Sequence, residues 1–174
     1  VGVAPAAVAP MATATGTRRS TSSFESTSMF SRNLQPRVSA LPGIVSVGAG
    51  PMPLEDFGTG CSVVFREGRP YDVNEQTPCV ATPTAIPGYF EALGMSVEGR
   101  TPSWSDVSAR SHSVVVTRAL ADRLWPGEDP IGRRILRGTN PRPLTVVGVV
   151  GDVSDVSMTQ APAPTVYIPF SQNN

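Results

Sequence analysis

The chain has 174 residues, of which 40% are hydrophobic, 16 are glycine and 18 are proline, and its formal net charge is zero. This composition indicates one loop-rich globular domain with a tail, not a helical bundle, and the balanced charge provides no overall field that would attract nucleic acid or anionic lipid. All 14 basic residues are arginine, so a catalytic lysine is excluded. The sequence contains no run of 18 apolar residues, and therefore no membrane span is predicted.

Residues 1–31 form a low-complexity segment, because eleven of the nineteen residues from Thr13 to Ser31 are serine or threonine. Such a composition buries too little apolar surface to offset the entropy lost on ordering. The segment also lacks the basic start of a secretory signal, and Pro5 and Pro10 interrupt its apolar stretch. We therefore expect a disordered tail over residues 1–31, followed by a domain over residues 32–174.

Limited proteolysis should trim residues 1–31 and leave a resistant fragment that begins close to Leu34, because poorly packed segments are the preferred sites of cleavage. Mass spectrometry of the digest identifies the first residue of that fragment. A resistant fragment that retains residues 1–31 would contradict the prediction, since these residues would then pack against the domain.

The first part of the domain is predicted to contain short elements separated by turns. The stretch "NLQPRVSA" is typical of a short helix that stops at Pro42-Gly43, and the alternation in "IVSV" indicates a strand after it. Residues 51–86 are predicted to form a loop-rich insertion with two extended pieces, "CSVVF" and "PCVATPTAI". Pro83 confines the second piece to an edge or a bend.

Next along the chain, "PGYFEALG" predicts a helix of one or two turns that opens with its proline and ends at Gly94. The large side chains of Tyr89, Phe90 and Leu93 are predicted to point to one side of it.

The remaining elements alternate between strands and one helix. "HSVVVT" predicts a buried strand, after which Thr117 caps a helix that carries Leu120 and Leu124 on one face. "RRILRG" and "PLTVVGVVGDV" predict two strands joined by the turn "GTNPR", and "TVYIPF" predicts a last strand. This order predicts an α+β fold with a mixed sheet and short packed helices.

The stretch "DRLWPGEDPIGRRI", residues 122–135, has the charged residues and turns that either a catalytic site or a structural corner could contain. We predict that Pro126-Gly127 ends the helix and that residues 130–132 turn the chain into the next strand. Trp125 and Ile131 are predicted to be buried under this turn, and the arginines that follow pair with nearby acids. Every residue thus has a structural role, and the stretch predicts a corner of the fold.

Other patterns with possible chemistry are explained as structure. "VVGVVGDV" has glycines spaced G-x-x-G instead of G-x-G-x-x-G, and no helix pattern follows to face a phosphate. His112 lies between serines along a strand without a G-x-S-x-G elbow. Four acids lie in predicted turns: Glu128, Asp129, Asp152 and Asp155. They lack the alternation of a calcium loop. We predict no catalytic residue, no cofactor and no metal site.

The chain has two cysteines, Cys61 and Cys79, which lie eighteen positions apart without a C-x-x-C motif. Two such thiols exclude a Cys-rich zinc site. They form a disulfide if the domain is extracytoplasmic and stay two unrelated thiols in a reducing compartment. The residues by themselves leave both alternatives open.

Three stretches near the end of the chain, "VVVTRALADRLWPGEDPIGRRI", "LTVVGVVGDV" and "VYIPF", resemble the MacB-like periplasmic core domain of bacterial ABC transporter permeases of the MacB, FtsX and LolC type. Upstream, "PGYFEALGMSVEGRTP" and "ALPGIVSVGAG" match the same pattern in the same order. The resemblance covers roughly residues 36–170. It implies structural positions only: Pro87, Gly88, Tyr89, Phe90, Trp125, Pro126, Gly127, Pro130, Ile131 and Gly132.

The resemblance implies an extracytoplasmic, non-enzymatic domain inserted between the first two membrane helices of a permease, on the periplasmic side of the inner membrane. In such a system the domain relays motion from a cytoplasmic ATPase and contacts substrate, a lipoprotein or a periplasmic adaptor. No nucleic acid and no membrane span within this chain are expected. An extracytoplasmic location favours the Cys61–Cys79 disulfide.

The chain also departs from the family pattern. The tail replaces the first membrane helix, and the closing strand-helix segment does not follow Ser171-Gln172, so we expect a domain that is incomplete at its C-terminal end. A stand-alone soluble binding module derived from a permease is the second hypothesis. A hydrolase that uses His112 and the nearby acids is the third.

Overall fold

The computed structural model describes six stretches of the chain: residues 32–51, 61–69, 80–109, 112–138, 142–152 and 163–170. The predicted tail, residues 1–31, lies outside these residues. Within the predicted insertion, residues 52–60 and 70–79 also lie outside them. The domain boundary at residue 32 therefore stays a prediction.

Nine strands lie within the described residues, and most of them form one mixed sheet. They are β1 Cys61–Ser62, β2 Val64–Arg66, β3 Val80–Ala81, β4 Thr84–Ala85, β5 Val97–Gly99, β6 Ser113–Thr117, β7 Arg134–Arg137, β8 Leu144–Val150 and β9 Val166–Pro169. The large sheet has the order β2-β7-β8-β6-β9-β4, and β1 pairs with β3 in a separate two-stranded sheet. This arrangement confirms the predicted α+β class.

The centre of the sheet is the parallel pair of β6 and β8. All five residues of β6 are buried, as its run of valines predicts for a strand covered on both faces. On the edge of β8 that faces away from β6, two shorter strands pair with it in succession. β7 pairs antiparallel with the first half of β8, and β5 pairs antiparallel with the second half. A register shift between Val114 and Val115 lets β6 follow β8 along its length.

Four helices accompany the sheet in the described residues. They are α1 over residues 32–39, α2 Tyr89–Ala92, α3 Trp104–Ala109 and α4 Arg118–Leu124. α1, α2 and α4 confirm the predicted helices. α3 and β5 were not predicted, because both are short and mostly polar and show no apolar periodicity.

The core consists of two clusters of buried side chains. The larger cluster contains Leu120 and Trp125 from α4 and its end, together with Val114, Val116 and Ile135 from the sheet. The smaller cluster combines two side chains of α2 with strand residues that alternate along the sequence with those of the larger cluster. Its members are Ala85, Tyr89, Phe90, Val115, Val150 and Tyr167. Because neighbouring residues of a strand point to opposite faces, the two clusters lie on opposite sides of the sheet.

Ile131, predicted to be buried, is exposed, and so is Leu93, predicted to lie on the same side of α2 as Tyr89 and Phe90. Ile131 is 39% exposed and Leu93 is 41% exposed. Pro130 occupies the buried position at the corner, and the Ile131 side chain lies instead beside Gly99 of β5. Leu93 is the C-cap residue of α2, where the chain already leaves the helical path, so it no longer shares the buried side of Tyr89 and Phe90.

The predicted strand in "IVSV" is absent from the described residues, since residues 44–49 make no strand pairing. This segment crosses the turn before α2, and Ile86 N donates to Ala49 O at 2.8 Å. Thr117 is the N-cap residue of α4, as predicted, but its side chain makes no capping hydrogen bond. Its hydroxyl accepts a hydrogen bond from Thr165 N at 3.0 Å, while Asp152 Oδ1 accepts one from Ala119 N at 2.8 Å and caps α4 instead.

Candidate functional site

The side chain of Gln35 joins four parts of the domain. Its amide nitrogen donates to Val47 O at 2.6 Å and to Pro87 O at 2.9 Å. Its amide oxygen accepts a hydrogen bond from Trp104 Nε1 at 2.8 Å. We call Gln35, Val47, Pro87 and Trp104 the Gln35 junction. It connects α1 to the 44–51 segment, to the turn before α2 and to α3.

Glycines allow the backbones at this junction to approach closely. Gly88 has φ 90°, a left-handed conformation that favours glycine, and a Cβ there would lie 2.7 Å from the Gln35 amide nitrogen and closer still to Val47 O. A Cβ on Gly50 would lie 2.5 Å from the Tyr89 ring. The Tyr89 hydroxyl donates to Pro51 O at 2.7 Å and fastens the same segment.

A partly buried ion pair lies beside the junction, at α3. Arg100 donates two hydrogen bonds to Asp106, at 2.7 and 2.9 Å. These bonds raise the pKa of the Arg100 guanidinium, a group that is charged at physiological pH even without them. Asp106 also accepts hydrogen bonds from the backbone N of Ser103 at 2.8 Å and from Ser113 Oγ at 3.0 Å. The pair thus ties α3 to the start of β6.

The sequence contains one local signal for α3. Ser103 and Asp106 have the spacing of a capping box, in which each side chain bonds the other residue's backbone N–H. The structure shows this reciprocal pair, with Asp106 N donating to Ser103 Oγ at 3.4 Å. For Gln35 no comparable local signal exists, because its partners lie 12, 52 and 69 residues away.

The second cluster of motif residues is the Trp125 corner, residues 125–133. Glu128 lies between two arginines, 3.4 Å from Arg66 and 2.6 Å from Arg133. Asp129 Oδ1 accepts a hydrogen bond from Ile131 N at 2.9 Å and fixes the turn. The predicted pairing of arginines with nearby acids is confirmed here.

The ten motif positions fall into two groups that the sheet keeps apart. Tyr89 and Phe90 belong to the smaller core cluster, and Trp125 belongs to the larger one. Pro87 and Pro130 are buried and Gly88 is half-buried, whereas the remaining motif positions are exposed: Pro126, Gly127, Ile131 and Gly132. The motif therefore marks two junctions of the fold and no single pocket.

His112 has a structural setting. It adopts φ 53°, which is uncommon outside glycine, and its backbone oxygen accepts a hydrogen bond from Thr145 N at 2.8 Å. In the described part of the chain, no hydrogen bond joins its side chain to Glu128, Asp129 or Asp152, and Asp155 lies outside that part. Across the same stretches, no group of three or more His, Cys, Asp or Glu residues is arranged to hold a metal ion.

Of the two cysteines, only Cys61 lies within the described residues. β1 and β3 pair antiparallel, so that Cys61 faces Ala81 and Ser62 faces Val80. Cys79 lies outside the described residues, and the disulfide stays a prediction.

Comparisons with known proteins agree on one family. The family model described as the MacB-like periplasmic core domain matches residues 6–174. The macrolide export ATP-binding/permease proteins MacB of Neisseria gonorrhoeae and of Neisseria meningitidis serogroup B are each 37% identical to this chain over 86 residues. Each alignment covers 45% of this chain and 13% of the relative's length.

A solved structure shares the fold. The periplasmic region of MacB from Actinobacillus actinomycetemcomitans superposes with a TM-score of 0.54 and 20% identity, over 81% of this chain and 55% of that one. Within the stretches that the structure describes here, no helix is long and apolar enough to cross a membrane.

Proposed function

Because the chain belongs to the MacB-like periplasmic core domain family, we propose that it is the non-enzymatic extracytoplasmic domain of an ABC-type transporter permease and relays conformational change between membrane helices and periplasmic partners. Its expected partners are the permease membrane helices, a cytoplasmic ATPase and a periplasmic adaptor or lipoprotein. The match over residues 6–174 supports the permease assignment. The Gln35 junction is the observation that supports the relay role.

A relay requires that movement of the element nearest the membrane helices reach the sheet. In a permease domain inserted after the first membrane helix, α1 is the first described element that follows that helix. Its apolar attachment is small, because Leu34 is 42% exposed and only Gln35 and Val38 are half-buried. The three hydrogen bonds of Gln35 provide a directional link from α1 to three other parts of the domain.

The non-enzymatic assignment is supported by how the structure uses the candidate catalytic groups. Glu128 pairs with Arg66 and Arg133, and Asp152 caps α4. A general base must lie within hydrogen-bonding reach of the group it activates, and the His112 side chain makes no hydrogen bond or ion pair with a carboxylate among the described residues.

The permease assignment is tested by immunoprecipitating the chain from detergent-solubilised membranes of the cells that produce it, after mild cross-linking. We expect an ABC-type ATPase in the precipitate and protection of the chain from protease until the outer face of the inner membrane is exposed. Recovery from the cytosol would overturn the proposal. Recovery from the periplasm without an ATPase would do so too, and would favour a stand-alone binding module.

The relay role is tested in the isolated complete transporter by hydrogen exchange with ATP and with ADP plus vanadate. We expect the exchange of β6 and β8 to respond to the nucleotide, and Gln35→Leu to abolish this response while ATP hydrolysis continues. Asn33→Ala, an exposed position on the same helix, is the matched control. An unchanged nucleotide response in the Gln35 variant would overturn the role of the junction.

An extracytoplasmic location also predicts the Cys61–Cys79 disulfide, which should contribute about 3 kcal/mol to the free energy of unfolding for a loop of this size. Mass spectrometry after alkylation, with and without reductant, should find no free thiol in the non-reduced protein recovered from the periplasm. Two alkylated thiols in that sample would contradict the disulfide.

A further inference from the structure

Residues 41–45 form an exposed apolar loop at the end of α1. All five residues of this Leu-Pro-Gly-Ile-Val stretch, which we call the 41–45 loop, are exposed. Val45 is 100% exposed, Leu41 56% and Ile44 42%, and no side chain in the loop is polar. Isolated exposed apolar residues are normal on a protein surface, but a contiguous group of large ones marks an interaction site.

The loop is held in this exposed position by its surroundings. Leu41 N donates to Val38 O at 3.1 Å, and Ile44 N donates to Leu41 O at 3.3 Å. Just beyond the loop, Val47 is fastened by the Gln35 amide at 2.6 Å. Both ends are therefore anchored by hydrogen bonds, and the exposure of the loop is a defined feature of the fold.

The residues that flank the loop in the sequence carry only positive charge. Arg32 and Arg37 of α1 are both exposed, and residues 32–54 contain no acid. Residues 1–54 carry four arginines and one glutamate, a net +3, whereas residues 55–174 carry ten arginines and thirteen acids, a net −3. The net charge of the whole chain is zero, but the N-terminal part of the sequence, which includes the loop, is basic.

We propose that the 41–45 loop docks on the surface of an anionic lipid bilayer, with Leu41, Ile44 and Val45 entering the interface and Arg37 facing the headgroups. Large apolar side chains beside basic residues are the combination that binds such a surface, by burial of apolar area together with attraction to anionic lipid. The proposal rests on the proposed function only in that it places the domain next to an inner membrane.

The test is co-sedimentation of the full chain with vesicles of phosphatidylcholine and phosphatidylglycerol in a 7:3 ratio, compared with phosphatidylcholine alone. We expect binding to the anionic vesicles that weakens in high salt. The double variant Leu41→Ser with Val45→Ser should lower the partition coefficient by about tenfold or more. Arg37→Gln should lower it by about fivefold on anionic vesicles only.

Two controls keep the test specific. Leu93→Ser removes an apolar side chain of similar exposure at the end of α2 and should leave binding unchanged. In the variant Val45→Trp, brominated lipid should quench the fluorescence of the new tryptophan. The fluorescence of the native Trp104 and Trp125 should not be quenched, since Trp125 is buried and Trp104 donates a hydrogen bond to Gln35. Thermal unfolding of each variant shows that it is folded.

Absence of binding to anionic vesicles would overturn the proposal, as would binding that survives the double variant or is lost equally in Leu93→Ser. Light scattering that shows a dimer abolished by the loop substitutions would overturn it as well, by assigning the loop to contact between copies of this chain. None of these results depends on an ATPase, so the proposed permease function is tested separately.

Discussion

Replacing Trp125 with alanine should lower the free energy of unfolding by about 3–5 kcal/mol, the usual cost of truncating a buried aromatic side chain. Trp125 is 2% exposed and lies at the end of α4 in the larger core cluster, together with Leu120, Val116 and Ile135. Its removal leaves a cavity between the helix and the sheet that the surrounding strands cannot close. Chemical denaturation measures the loss, and the melting temperature should fall by roughly 10 °C.

Ile131→Ala is the matched control at the same corner. Its side chain is 39% exposed, so we expect a loss below about 1 kcal/mol, much less than the sequence pattern suggested. Equal destabilisation by the two variants would show that the corner buries Ile131 in solution. Unchanged stability of the Trp125 variant would contradict its place in the core.

Gly88→Ala should lower the free energy of unfolding by about 3–4 kcal/mol, because it combines a strained backbone with a steric overlap. The residue has φ 90°, which disfavours any side chain. Its new Cβ would meet the Gln35 amide at 2.7 Å and the backbone oxygen of Val47 closer still. The 44–51 segment would have to move away from the turn, and the Gln35 junction would break. Chemical denaturation measures the change in free energy.

Gly94→Ala separates the two contributions. Gly94 also has a positive φ, 66°, but a Cβ there would meet no atom within 4 Å. We therefore expect a loss of only about 1–2 kcal/mol, from backbone strain without overlap. If both glycine variants lose the same stability, the close approach of Val47 to Gly88 contributes nothing, and the Gln35 junction is looser than the structure indicates.

The candidate site was only partly predictable from the chain. The exposed acids, the arginine pairs at the corner and the burial of Trp125 followed from local pattern. The Arg100–Asp106 pair did not, because its importance depends on Ser113, seven positions further along, meeting the same carboxylate. The Ser103–Asp106 capping box was visible in the sequence and would have located α3.

Local chemistry by itself determined the main elements of this domain. A run of valines in β6, the glycine and proline punctuation around α2 and α4, and the ordered family motifs were sufficient for the α+β class and for the family. These features act over a few residues, where steric preference and apolar periodicity decide the outcome.

Only the tertiary structure decided which of several equivalent residues each contact would use. Asp152 caps α4 because it follows the end of β8, which lies close to the start of the helix. The hydroxyl of Thr117 accepts a hydrogen bond from Thr165 instead. Gln35 became a junction because three distant backbone and side-chain groups converge on its amide. Pro130 is buried at the corner, whereas the Ile131 side chain lies at the surface beside Gly99 of β5. Such choices depend on contacts between residues far apart in the chain, which no local pattern contains.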